Sequence, residues 1–183
     1  MPDLSPDGGT IAFTIQHGPG SRIATIGVDG SGLRLLTPEG ISAVWPRWSS
    51  DGRRLLFFRV RPHGNLILMV MDADGTGARP VPGPRTPDGQ PPDLSPDGST
   101  VLYTSRLRIQ YDLATVPVAG GRSHRLTDSV LVFEGSGTWS PDGTRIAYER
   151  LVSGRHEIWL MNVDGTGARR LIALPSASAM GPE

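Results

Sequence analysis

The sequence predicts an all-β chain assembled from propeller-type blades, and three observations carry that prediction. A four-residue turn recurs at near-constant spacing along the 183 residues. Each copy is followed by two short apolar runs in hairpin order, and no segment holds a 3.6-residue apolar period over a helical length.

The turns are Ser5-Pro6-Asp7-Gly8, Ser49-Ser50-Asp51-Gly52, Ser95-Pro96-Asp97-Gly98 and Ser140-Pro141-Asp142-Gly143, spaced by 44, 46 and 45 residues. Their chemistry suits a type I turn: serine caps the first position, proline presets φ at the second, aspartate tolerates the third and glycine closes the fourth. Shortly after each comes an apolar run, at Ile11-Ala12-Phe13, Leu55 to Phe58, Val101-Leu102-Tyr103 and Ile146-Ala147-Tyr148. Such runs suit strands buried on both faces.

A second run follows, over Ile23 to Val28, Leu66 to Met71, Leu113 to Val118 and Ile158 to Val163. Glycine-rich turns close three of these, at Asp29-Gly30-Ser31-Gly32, Asp74-Gly75-Thr76-Gly77 and Asp164-Gly165-Thr166-Gly167, and Ala119-Gly120-Gly121 closes the other. A short strand ends each unit, at Leu35-Leu36, near Val81, at Leu126-Thr127 and at Leu171-Ile172. Trp45 to Trp48, Pro91 to Leu94 and Gly137 to Trp139 supply a further strand leading into the serine. Four short antiparallel strands per repeat of this length are what a propeller blade requires.

The chain 1–183 thus reads as one propeller domain or part of one, with blade 1 over about 1–37, blade 2 over about 38–82, blade 3 over about 91–127, blade 4 over about 128–173 and a tail at 174–183. Residues 82–92 form the longest irregular stretch and read as an exposed loop, in which Thr86-Pro87-Asp88-Gly89 mimics the repeat turn without an apolar run after it. Copy one starts too close to Met1 to hold a full innermost strand, while the other three copies carry that segment. These residues are therefore expected to be part of a larger ring whose next blade the tail would feed; a four-bladed ring closed by the tail, or self-association with a second molecule through open strand edges, are the alternatives.

Composition excludes several classes. Cysteine is absent, which removes disulfides, thiolate metal sites and a cysteine nucleophile. Formal net charge is zero and all 18 basic residues are arginine, so no overall pull toward nucleic acid or an anionic membrane exists. No run approaches the roughly 18 apolar residues of a membrane helix, and the first residues show no signal-peptide pattern.

No serine has glycine at both flanking second positions, so a nucleophile elbow is missing. The four histidines, His17, His63, His124 and His156, show no ligand spacing and read as solvated loop residues. Asp72-Ala73-Asp74-Gly75 and Asn162-Val163-Asp164-Gly165 resemble the opening of a calcium loop but lack the closing glutamate, and they read as turns. The Asp-Gly-Thr-Gly segments open no helix and hold no P-loop lysine. Arg53-Arg54 and Arg169-Arg170 read as edge-protecting charges. No catalytic residue, metal ligand or cofactor site is therefore assigned.

Pro46-Arg47-Trp48-Ser49 and Thr138-Trp139-Ser140-Pro141-Asp142-Gly143, with the apolar runs and Asp-Gly turns after them, resemble the repeat of the TolB-type propeller family. Leu4 and Leu94 replace the tryptophan in copies one and three, and Ser50 replaces the proline in copy two. The resemblance implies a propeller of six blades where complete, a location in the bacterial cell envelope, and a role in holding a protein or peptide on one propeller face. It also extends to blades that gate prolyl oligopeptidase-like enzymes. The position between Pro and Trp, held by Asp3, Arg47, Asp93 and Thr138, lies on the innermost strand; those four with Trp45 are the expected partner contacts. A substrate gate for a hydrolase domain encoded elsewhere is the rival expectation, and the ectodomain of a membrane sensor is a third.

Overall fold

The structure, a computed structural model, describes residues 2–18, 20–82, 90–107, 110–130 and 132–173. Among them are sixteen strands and a single 3-10 turn at Pro62–Gly64. Blade 1 comprises β1 (Asp3–Leu4), β2 (Thr10–His17), β3 (Gly20–Gly27) and β4 (Arg34–Leu35), and blade 2 comprises β5 (Ser42–Trp48), β6 (Arg54–Val60), β7 (Leu66–Asp72) and β8 (Arg79–Pro80). Blade 3 is β9 (Asp93–Leu94), β10 (Thr100–Leu107), β11 (Gln110–Pro117) and β12 (His124–Arg125); blade 4 is β13 (Phe133–Trp139), β14 (Arg145–Val152), β15 (Arg155–Asn162) and β16 (Arg169–Ala173). Within each blade the strands pair antiparallel in chain order. A single parallel bridge, Tyr111 to Phe133, joins blade 3 to blade 4.

The turns build as their chemistry dictates. In all four the glycine N–H donates to the serine carbonyl, at 2.8 Å for Gly8 and 2.9 Å for Gly143, and the glycine sits at positive φ. The serine hydroxyl donates to the aspartate Oδ1 at 2.6 Å in every copy. That oxygen also accepts the N–H two residues on, and the serine Oγ accepts the N–H of the first residue of the next strand. The aspartate is thus the hub of the turn and not a tolerated filler.

The core lies between blades. Alternate residues of a strand face opposite sides, so Leu55, Phe57, Met69 and Met71 of blade 2 pack against Ala12 and Ile23 of blade 1. Their neighbours Leu56, Phe58, Leu68 and Val70 pack against Leu94, Val101 and Val116 of blade 3. A third cluster joins Leu102 and Leu113 to Ile146, Tyr148 and Met161 of blade 4. The uninterrupted apolar runs follow, because a blade with neighbours on both sides needs both strand faces apolar.

The innermost strands differ from one another. β5 and β13 have seven residues, whereas β1 and β9 have two. Expectation gave blade 3 a full innermost strand, but Pro91 and Pro92 precede β9, and proline offers no N–H to a ladder. The mimic turn at 86–89, most of the 82–92 loop and the tail at 174–183 lie outside the described residues.

Candidate functional site

The innermost strands carry the residues expected to meet a partner. Asp3, Arg47, Asp93 and Thr138 converge on one cleft of about 290 Å³, with Trp48, Trp139 and the turn prolines completing its wall. Trp45 stands elsewhere. The register of β5 against β6 shifts between Val44 and Arg47, and Trp45 takes φ 54° at this bulge. Its N–H donates to Thr14 Oγ1 at 3.0 Å, and its ring meets Phe58 edge-on at 6.0 Å. The equivalent bulge of β13 places Ser136 at φ 52°.

The two cleft aspartates are bound between blades. Asp3 accepts the Trp48 N–H at 2.6 Å and pairs with Arg47 at 3.3 Å. Asp93 accepts the Trp139 N–H at 2.8 Å and the Thr138 hydroxyl at 2.9 Å. Each carboxylate on one blade therefore holds the tryptophan backbone of the next. Arg47 keeps 36% of its side chain exposed and is the cation of the cleft. Two tryptophans, the turn prolines, two carboxylates and one part-exposed guanidinium line the cleft.

A second group of charges, which sequence reasoning did not single out, lies between blades 3 and 4. Asp112, fully buried, pairs with Arg125 at 2.7 Å; Glu134, 2% exposed, pairs with Arg150 at 3.3 Å and accepts from Ser129. Burial pushes the Asp112 carboxyl up against the pull of Arg125, and Glu134 and Asp128 add to the rise. Burial likewise lifts the Tyr148 hydroxyl to about 12, with Glu134 contributing. The guanidinium of Arg150 lies 4.6 Å from the Trp159 ring centre. The sequence signal was faint: Asp112 and Glu157 hold the same place in successive blades, each with an arginine 13 residues on, and Glu157 pairs with Arg170 at 2.9 Å.

The arrangement around Ser136 also bears on chemistry. Its hydroxyl donates to Gln90 Oε1 at 2.5 Å and lies 3.4 Å from Glu149, which in turn pairs with His156. A carboxylate, not an imidazole, stands against the hydroxyl, the reverse of the order in which a histidine would take a serine proton. Asp74 and Asp164 spend Oδ1 on the N–H and hydroxyl of Thr76 and Thr166. No group of three or more histidine, aspartate or glutamate side chains able to hold a metal occurs among the described residues. Among them, too, no helix is long and apolar enough to cross a membrane. His124 and His156 are exposed, and the side chains of His17 and His63 lie outside the described set.

Known proteins place this fold. No family model matches the chain. An uncharacterized protein of Agrobacterium fabrum is 30% identical over 152 residues, covering 79% of this chain and 48% of its own length. Dipeptidyl-peptidase 5 of Porphyromonas endodontalis is 31% identical over 113 residues, 58% of this chain and 16% of the enzyme. The Tol-Pal system protein TolB of Rhizorhabdus wittichii is 38% identical over 80 residues, 43% of this chain and 18% of that protein. The chain thus spans about half, or less, of the curated relatives it matches.

Among solved structures, one assigned to TolB from Agrobacterium tumefaciens superposes with a TM-score of 0.79 at 25% identity, over 93% of this chain and 64% of the other. TolB from Acinetobacter baumannii gives 0.68 at 23%, over 90% and 40%. A prolyl endopeptidase gives 0.71 at 13%, over 96% of this chain and 29% of the enzyme. The chain has the TolB-like propeller fold.

Proposed function

We propose that this chain is a non-catalytic propeller scaffold of the bacterial cell envelope that holds an extended, acidic segment of a protein partner in the cleft between its innermost strands. The observation that carries this reading is the meeting of Asp3, Arg47, Asp93 and Thr138 from four blades on one cleft. Asp3 and Asp93 each accept a backbone N–H from the next blade, and Arg47, paired with Asp3 through one guanidinium nitrogen, keeps its other donors for a ligand. The likeness to TolB supports a protein partner, and the envelope location rests on that likeness.

Selection of a displayed random-peptide library on the immobilised chain tests this directly. Acidic segments should be enriched, and Arg47→Glu should remove the enrichment while leaving the circular dichroism spectrum unchanged. Equal enrichment by both proteins, or none by either, would reject the cleft as the docking site. The purified chain should also hydrolyse neither peptides nor esters, and turnover that survives further chromatography and chelation would count against a scaffold.

The identity with dipeptidyl-peptidase 5 supports a second reading, a propeller that gates a peptidase. The flanking reading frame separates the two. A gate requires a nucleophile elbow followed by aspartate and histidine, whereas a scaffold has none.

A further inference from the structure

We propose that two crevices, one at the seam of blades 1 and 2 and one at the seam of blades 3 and 4, each receive an arginine side chain from a partner segment. At the seam between them the chain places an arginine of its own.

Two positions set the character of each seam: the fifth residue past a turn serine, and the residue just before the next turn serine. At the seam of blades 2 and 3 these are Arg54 and Leu94, and Arg54 Nη1 donates across it to the Gly98 carbonyl at 3.0 Å. At the flanking seams they are Thr10 with Trp48 and Thr100 with Trp139; Thr100 lies 90 residues after Thr10, and Trp139 lies 91 after Trp48. The geometry is shared, because alternate strand residues face one side. Arg54 lies on the face of Leu56 and Phe58, Thr10 on that of Ala12 and Thr100 on that of Leu102, each turned to the following blade.

A threonine is too short to cross, and both threonine seams stay open. The crevice of Thr10 and Trp48 encloses about 670 Å³, and that of Thr100 and Trp139 about 300 Å³. Gly52 and Gly143, which hold the place of Gly98, lie on their walls, and the carbonyls of both accept no hydrogen bond among the described residues.

Charge completes the match. Asp7, Asp51 and Asp74 line the first crevice against Arg34 alone, and Asp97 and Asp142 line the second with no basic residue among those described. Oδ1 of Asp7, Asp51 and Asp142 serves the turn, while Oδ2 of each accepts no bond among the described residues. The turn serine hydroxyls hold Asp7, Asp97 and Asp142 below the ordinary carboxylate range, Asp142 at about 2, so all three are charged at neutral pH. A guanidinium pairs with carboxylates, donates to a carbonyl and stacks on an indole. Each crevice offers all three.

The chain has four tryptophans, so nitrogen-15 NMR gives four indole signals. Titration with N-acetylarginine amide should shift those of Trp48 and Trp139 saturably and leave Trp45 and Trp159, which line neither crevice, in place. N-acetylcitrulline amide has nearly the same shape without the charge and should bind roughly tenfold more weakly. Equal binding of the two compounds, or no saturable shift, overturns the proposal.

Trp48 and Trp139 also wall the central cleft, so variants must place the ligand. Thr100→Arg copies the arrangement of Arg54 and should abolish the Trp139 response while Trp48 keeps its own; Thr10→Arg should do the reverse. Should either variant lose its strand signal, Val163→Lys puts a cation at a position 39% exposed on the second crevice and absent from the cleft wall. It should weaken the Trp139 response alone. Responses that these variants leave unchanged overturn the proposal, whatever the cleft itself holds.

Discussion

Asp93 and Trp139, 46 residues apart, are joined by a hydrogen bond of 2.8 Å from the tryptophan backbone N–H to the carboxylate, and the bond spans two blades. The pair Asp3 and Trp48 repeats it at 2.6 Å between blades 1 and 2. Arg47, at the same position in blade 2, has no acceptor to offer, and there Asp93 Oδ1 takes the Leu94 N–H of its own strand at 3.0 Å. Asp93→Ala should destabilise the fold by about 1–3 kcal/mol, because it strands a part-buried N–H. Asp93→Asn should lose less, since its carbonyl still accepts. Urea unfolding measures both, and an alanine variant as stable as wild type would show that the bond contributes nothing.

Stability should fall in acid through the turn aspartates. Asp142 is held at about 2, below the ordinary 3.8, by the Ser140 hydroxyl first and then by the Thr144 N–H and hydroxyl. Asp7, Asp97, Asp29, Asp74 and Asp164 are lowered in the same manner. A carboxyl whose folded pKa is depressed stabilises the fold above its unfolded pKa, and that contribution disappears as pH falls through the folded value. Melting temperature should therefore drop between pH 4 and about 2. Asp142→Ala should lower the melting temperature at pH 7 and flatten this acid limb, while capture of peptides in the cleft persists. Loss of capture with an unchanged melting temperature would make Asp142 a ligand.

Gly30 and Gly165 share a positive φ of 83° and 86° but differ in surroundings. Gly30→Ala should cost about 1–2 kcal/mol, the strain of a left-handed L-residue. Gly165→Ala should cost more, because its Cβ would also meet the Leu126 carbonyl at 2.7 Å. Thermal denaturation of the two variants isolates the contact between blades 3 and 4, and equal losses would mean that the contact yields freely.

Phe58 is fully buried at the interface of blades 2 and 3 and carries the Trp45 ring on its edge. Phe58→Ala should cost about 3–5 kcal/mol. If each interface unfolds with the whole chain, fluorescence and far-ultraviolet circular dichroism should report one midpoint. Separate midpoints would show that blades melt in pairs.

What the sequence by itself determined is whatever is decided within a few residues. Serine, aspartate and glycine at fixed offsets satisfy one another's backbone groups, so the four repeat turns, the hairpins between them and the all-β class were legible before any packing was known. The uninterrupted runs at Leu55 to Phe58 and Val101 to Tyr103 further announced strands with two covered faces. Only the tertiary structure decided which groups meet across about 45 residues of chain. Asp93 looks like a free surface carboxylate until the next blade brings the Trp139 N–H to it, and Trp45 looks like a cleft residue until a bulge turns its ring onto Phe58. Asp112 pairs with Arg125 and Glu134 with Arg150 inside their own blades, so what stayed hidden was only their burial. Which groups meet between blades depends on how one blade packs on another, and a packing distance leaves no mark on the spacing of residues along the chain.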